Sequence, residues 1–135
     1  MRRLLDAQLN RELERDSGLS EPDYDVLSNL SEQPGRRMRA RELGARLQWS
    51  SSRLTHHIGR MERRGLVRRE QCADDARGAV VAMTDAGQAS IESAAPAHVA
   101  SVRRHFIDLL TDDQLATLRS ISDTVLEHLS PVVNE

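Results

Sequence analysis

Leucine recurs every fourth residue at Leu5, Leu9 and Leu13 with polar residues between, and that spacing predicts a short amphipathic helix with one narrow apolar stripe, stopped near Gly18. Ser20-Glu21-Pro22-Asp23 carries the marks of a second helix start: a serine cap, a proline in the first turn and an acid at the third position. Tyr24, Val26, Leu27 and Leu30 supply its buried face, and Pro34-Gly35 ends it. A third amphipathic segment runs from Arg39 to Leu47 on Ala40, Leu43 and Leu47, with no good cap before it and Gly44 as a weak spot inside. Ser50-Ser51-Ser52 can cap the next helix, because a serine hydroxyl accepts from the free N–H groups of a first turn. That helix is expected to reach about Arg64, with Gly65 just past its end.

The period then changes. Leu66 to Glu70 and Ala79 to Thr84 are short β-prone stretches joined by a polar loop from Gln71 to Gly78, which reads as a hairpin with a charged tip. From Asp85 to about Leu110 the pattern is helical again, with a kink expected at Pro96. Thr111-Asp112-Asp113-Gln114 is a capping box. Leu115, Leu118, Ile121, Val125, Leu126 and Leu129 follow on one face of a last helix, expected to stop before Pro131. The fold class that results is mainly α with a small β-hairpin (α+β), in the order helix, helix, helix-turn-helix, hairpin, helix, helix. No repeat and no linker divides it, so residues 1–135 are expected to form one domain.

Composition changes this picture little. Apolar residues make up 39% and charged residues 30%, as in folded proteins, and aromatics at 2% leave an aliphatic core. No apolar run approaches the roughly 20 residues that span a bilayer. The start lacks the apolar stretch of a signal peptide, so a cytoplasmic protein with no membrane partner is expected. The single cysteine, Cys72, cannot form an internal disulfide.

Charge changes it more. The net charge of −2 divides into four Arg against eight acids in residues 1–35, twelve Arg against five acids in 36–80, and three Arg against eight acids in 81–135. A basic middle between acidic ends is what a protein needs if one face neutralises phosphates while the rest stays in solution.

The basic middle contains the helix of the Ser50 cap. With about 100° per residue, Leu54, Ile58 and Met61 form its buried stripe, and Ser52, His56, Gly59 and Arg63 point the other way, flanked by Arg53 and Arg60 on one side and Thr55 on the other. Short hydroxyls, a histidine and arginines facing outward suit the major groove of DNA, where Arg pairs with guanine or phosphate. The preceding Glu42-Leu43-Gly44-Ala45-Arg46-Leu47, a tight turn, and then a Ser-capped helix reproduce the layout of a helix-turn-helix. Ser50, Ser51, Ser52, Arg53, Thr55, His56, Arg60 and Arg63 are therefore the expected contacts to double-stranded DNA.

Four blocks resemble the MarR (multiple antibiotic resistance regulator) family of winged-helix transcription factors. They are Tyr24-Asp25-Val26-Leu27 through Pro34-Gly35, then Glu42 to Leu47, then Trp49 through Val67, and last Asp74-Asp75-Ala76-Arg77-Gly78 with Met83-Thr84-Asp85-Ala86-Gly87. The resemblance implies a winged helix-turn-helix lobe over 20–84 and dimerisation helices over 1–18 and 88–130. It implies a homodimer on a pseudo-palindromic operator, acting as a repressor and released by a small aromatic or anionic effector whose site no residue pattern identifies. Leu5, Leu9, Leu115, Leu118, Ile121, Val125 and Leu129 would then build the dimer interface. Arg77 would enter a minor groove from the wing with Asp75 supporting it, the other reading being a turn residue paired with Asp74 or Asp75. The chain departs from the family pattern in a shorter first helix and in Gly44, where alanine is commoner.

Other chemistry is thinner. His56 and His57 point about 100° apart and cannot easily share an ion. His98, His105 and Asp108 share a face without a second ligand cluster. Arg68 and Arg69 near Cys72 could activate its thiol. No nucleophile-base pair, phosphate-cradling loop or paired-carboxylate site is present in the sequence, so neither enzyme nor cofactor is expected. An effector-independent regulator, a metal-responsive sensor and a protein-interaction module are the alternative readings.

Overall fold

The computed structural model describes residues 1–72 and 75–133, with the side chains of 72, 75–77 and 131–133 outside that description. Helix α1 (Arg2–Ser17) ends at Gly18, whose φ of 73° is a left-handed conformation that only glycine adopts without strain. Helix α2 (Glu21–Ser31) opens on a reciprocal capping box in which the Ser20 hydroxyl accepts from the Asp23 N–H and Asp23 accepts from the Ser20 N–H. Strand β1 (Arg37–Arg39), helix α3 (Ala40–Leu47) and helix α4 (Ser51–Arg63) follow. Strands β2 (Val67–Cys72) and β3 (Asp75–Met83) form the hairpin, and helices α5 (Asp85–His105) and α6 (Asp112–Val133) complete the order.

Three boundaries correct the sequence reading. A third strand, β1, adds to the hairpin in the order β1-β3-β2, all antiparallel, pairing Met38 with Val81. It escaped notice because its alternation is one residue deep, a buried Met38 between two exposed arginines. The hairpin strands run to Cys72 and resume at Asp75, well inside the polar stretch read as loop. Ladder hydrogen bonds are made by the backbone whatever the side chains, so polar composition misplaced those ends. Helix α5 stops at His105 and a 3₁₀ turn covers Ile107–Leu109, whereas α6 continues through Pro131 to Val133. A proline removes one intrahelical bond, a loss a helix can carry in its last turn.

The core gathers Val26, Leu27 and Leu30 of α2, Leu43 of α3, Leu54, Ile58 and Met61 of α4, Val67, Val81 and Met83 of the hairpin, and Ile91 and Ala94 of α5. The hairpin is fastened to α5 through Thr84. Its hydroxyl accepts from Gly87 N–H at 3.0 Å and lies 2.6 Å from the Gly65 carbonyl oxygen, to which it can donate. A Cβ at Gly87 would lie 2.2 Å from the Leu66 carbonyl oxygen, so the Thr-x-x-Gly corner admits no larger residue without moving backbone.

Helix α1 packs along α5, and Leu9, expected at a dimer interface, is already buried within the chain there. Leu5 and Leu115 are half-buried. Leu118, Ile121, Val125, Leu126 and Leu129 of α6 remain 37% to 59% exposed. Among the described residues, no helix is long and apolar enough to cross a membrane.

Candidate nucleic-acid interface

Helix α4 is set by its two ends. At the start, the Ser50 hydroxyl accepts from the Arg53 N–H at 3.1 Å, so this serine is the cap and Ser51 and Ser52 belong to the first turn. The turn before it is tight: Gln48 adopts a left-handed φ of 56°, and Trp49 N–H reaches back to the Gly44 carbonyl at 3.0 Å. At the end, Arg64 donates through Nη1 to Asp23 Oδ2 at 2.7 Å and through Nη2 to the Gly18 carbonyl at 2.9 Å. The reading helix is thereby tied to the corner between α1 and α2.

Between these ends Leu54, Ile58 and Met61 are buried as the wheel predicts. Ser50, Ser51, Ser52, Arg53, Thr55, His56, Arg60 and Arg63 are all exposed, and one helix brings them together. Arg53 lies with its Cζ 4.4 Å over the Trp49 ring, a cation–π contact. Arg60 Nη2 sits 3.2 Å from His57 Nδ1. Asp75 and Arg77, the expected wing pair, have their backbone in β3, and their side chains lie outside the described residues, as does that of Cys72. Asp74 lies outside them altogether.

Two carboxylates are buried, Glu12, which the sequence reading missed, and Asp23, which it read only as a capping acid, because an acid inside an amphipathic pattern gives no periodic signal. Asp23 lies under α4, with Oδ1 2.9 Å from His57 Nε2 and Oδ2 bonded to Arg64 and the Ser20 N–H. Burial pushes its pKa up, but His57, the Ser20 N–H and Arg64 together outweigh that and hold the carboxyl well below the usual range. Glu12 joins α1 to α5. It accepts from the Ser101 hydroxyl, faces His105 Nε2 at 2.9 Å, and accepts from Gln8 at 3.2 Å and Arg104 at 3.0 Å. The Ser101 and His105 contacts foremost hold it ionised.

The face shared by His98, His105 and Asp108 is dispersed by these contacts. His105 turns to Glu12, Asp108 accepts from Arg103, and His98 packs against the Tyr24 ring with centroids 4.4 Å apart. Burial pushes the His98 pKa down, against the Asp25 carboxylate, which pushes it up.

A capped helix presenting donors on one side and core on the other, preceded by a tight turn and followed by a hairpin that pairs with β1, defines a winged helix-turn-helix protein. Residues 17–78 match the MarR family. AbsC, a MarR family transcriptional regulator from Streptomyces coelicolor, superimposes with a TM-score of 0.91 at 46% identity, over 96% of this chain and 87% of that one. The chain belongs to the MarR family of DNA-binding transcriptional regulators, not to a class of enzymes. Sco3205, a second member from the same organism, was solved in complex with DNA and is 40% identical over 95% of this chain and 80% of that one, with a TM-score of 0.90. The uncharacterized HTH-type transcriptional regulator YkoM of Bacillus subtilis (strain 168) is 28% identical over 117 residues, 85% of this chain and 75% of the relative.

Proposed function

We propose that the protein acts as a homodimeric repressor, reading the two halves of a pseudo-palindromic operator with two copies of α4 in successive major grooves. The carrying observation is the finished lobe with an unfinished helix: α4 is buried on its apolar side and offers eight exposed polar residues, while α6 leaves its apolar stripe bare. A second copy of the chain is the natural cover for that stripe, since the acidic ends keep each protomer in solution and a self-complementary surface closes on a two-fold axis. Arg77, supported by Asp75, fits a minor groove beside each half-site, because narrow grooves concentrate negative potential.

Release by a small effector is the remaining part of this reading. The cleft between α1 and α5, lined by Glu12, Asp16, His98 and Ser101, has about 20 Å3 of free space, room for one water-sized molecule and not for an aromatic ring. An effector seated there would have to open this cleft.

Selection of duplexes from a random pool, with solution mass measured alongside, tests the proposal. The expected result is an inverted repeat with half-site centres about one helical turn apart, bound by two chains. Enrichment of a single asymmetric site by one chain would overturn it.

A further inference from the structure

Trp49, Arg53, His57, Arg60 and Arg64 follow one another at helical spacing along the flank of α4, and His57 is the member that is buried, at 7% exposure. Each edge of its ring is occupied. Nε2 lies 2.9 Å from Asp23 Oδ1, Nδ1 lies 3.2 Å from Arg60 Nη2, and the ring meets Trp49 edge-on at 5.3 Å between centroids. The opposite face of this assembly carries Arg53, stacked on Trp49.

The proton positions follow from the partners. A guanidinium only donates, so Nδ1 must offer its lone pair to Arg60, which leaves the ring proton on Nε2, facing the carboxylate. The Asp23 carboxylate lies beside that Nε2–H at ion-pair distance without forming an aligned hydrogen bond with it, and is itself fixed by the Ser20 N–H and by Arg64. A free arginine loses rotamer entropy when a single geometry is imposed on it, and Arg53 and Arg60 are already held before any ligand arrives.

We propose that His57 is a positioning residue for DNA recognition: it holds Arg60 directly and Arg53 through Trp49 in the geometry that distinguishes an operator from other DNA. The proposal rests on the reading that the exposed side of α4 contacts DNA. His57 itself touches no nucleotide. Its loss relaxes discrimination while leaving the phosphate-neutralising charge of the lobe unchanged.

The test compares the affinity ratio of operator to random duplex among His57→Leu, His57→Asn and His57→Gln, each checked for folding by its thermal melt. Leu keeps the volume and loses both polar contacts. Asn keeps an acceptor near the Nδ1 position, and Gln keeps a donor near Nε2 toward Asp23. The ratio is expected to fall about tenfold in His57→Leu, to recover largely in His57→Asn, and to recover little in His57→Gln, as for residues coupled by direct contact. Arg60→Ala should lower the ratio in the wild type and have no further effect in His57→Leu.

Should His57→Leu fail to fold, Trp49→Leu combined with Arg53→Ala asks the same of the second arginine, and additive losses there overturn the proposal. A wild-type ratio in folded His57→Leu, or equal recovery in His57→Asn and His57→Gln, also overturns it. Absence of any operator preference in the wild type would instead remove the underlying reading of α4.

Discussion

Helices α4 and α6 are built alike and finished differently. Both are amphipathic, and both open on a side-chain cap, Ser50 to the Arg53 N–H and Thr111 to the Gln114 N–H at 3.2 Å. The apolar stripe of α4 is buried in the core, whereas that of α6, past the half-buried Leu115, stays 37% to 59% exposed. Amphipathicity alone says that a helix needs a partner and not where the partner comes from. In α4 the chain supplies it and the polar face stays exposed; in α6 it is the apolar face that stays exposed.

This contrast can be broken most sharply on α6. Leu118→Asp with Val125→Asp should give monomers that melt like the wild-type protomer but lose operator affinity by at least 100-fold, because two linked half-site contacts become one; sedimentation and a binding titration read both. The matching change on α4 acts the other way. Ile58→Ala should lower protomer stability by about 2–5 kcal/mol, while Ile121→Ala should leave dilute-protomer melting unchanged and weaken only association.

A smaller effect separates the polar faces. Arg53→Ala and His56→Ala should each cost roughly 1–3 kcal/mol on the operator and relax its sequence preference, while Arg63→Ala should weaken all duplexes evenly and reduce the salt slope by about one. Smaller still are the caps. Ser50→Ala should cost about 1 kcal/mol of lobe stability, and Thr111→Ala a similar amount seen only in the dimer.

Acid offers a further contrast within one chain. Asp23 and Glu12 both titrate below their ordinary range, so each contributes stability that is complete above about pH 5 and is lost as pH falls through its lowered pKa. Asp23→Asn should flatten the part of that acid loss seen in the winged lobe, and Glu12→Gln the part seen where α1 meets α5. Amide hydrogen exchange between pH 5 and pH 3, resolved by segment, distinguishes the two.

How much of this was legible in the sequence follows from the signals each feature leaves. The stripes Leu54-Ile58-Met61 and Leu118-Ile121-Val125 were plain because a period of 3.6 repeats over several turns. The caps at Ser20, Ser50 and Thr111 were plain because each places a hydroxyl beside free N–H groups. Strand β1 was hidden because three residues are too few to show a period. Glu12, Asp23 and His57 were hidden because their burial depends on partners 34 to 93 positions away in the chain. Leu9 was read as interface because a stripe does not say that α5 of the same chain will cover it. The exposed face of α4 was found whole, but the arrangement beneath its arginines was not.

The central claim is that the exposed side of α4 reads base sequence in two equivalent copies. Parallel selections from one random pool with the wild type and with His56→Ala test it most directly, since removing one base-reading side chain must erase information at the positions it reads. The account predicts that the variant still enriches an inverted repeat but loses preference at one position in each half-site, symmetrically about the centre. Recovery of the wild-type sequence at undiminished information content, or a loss confined to one half, would contradict it.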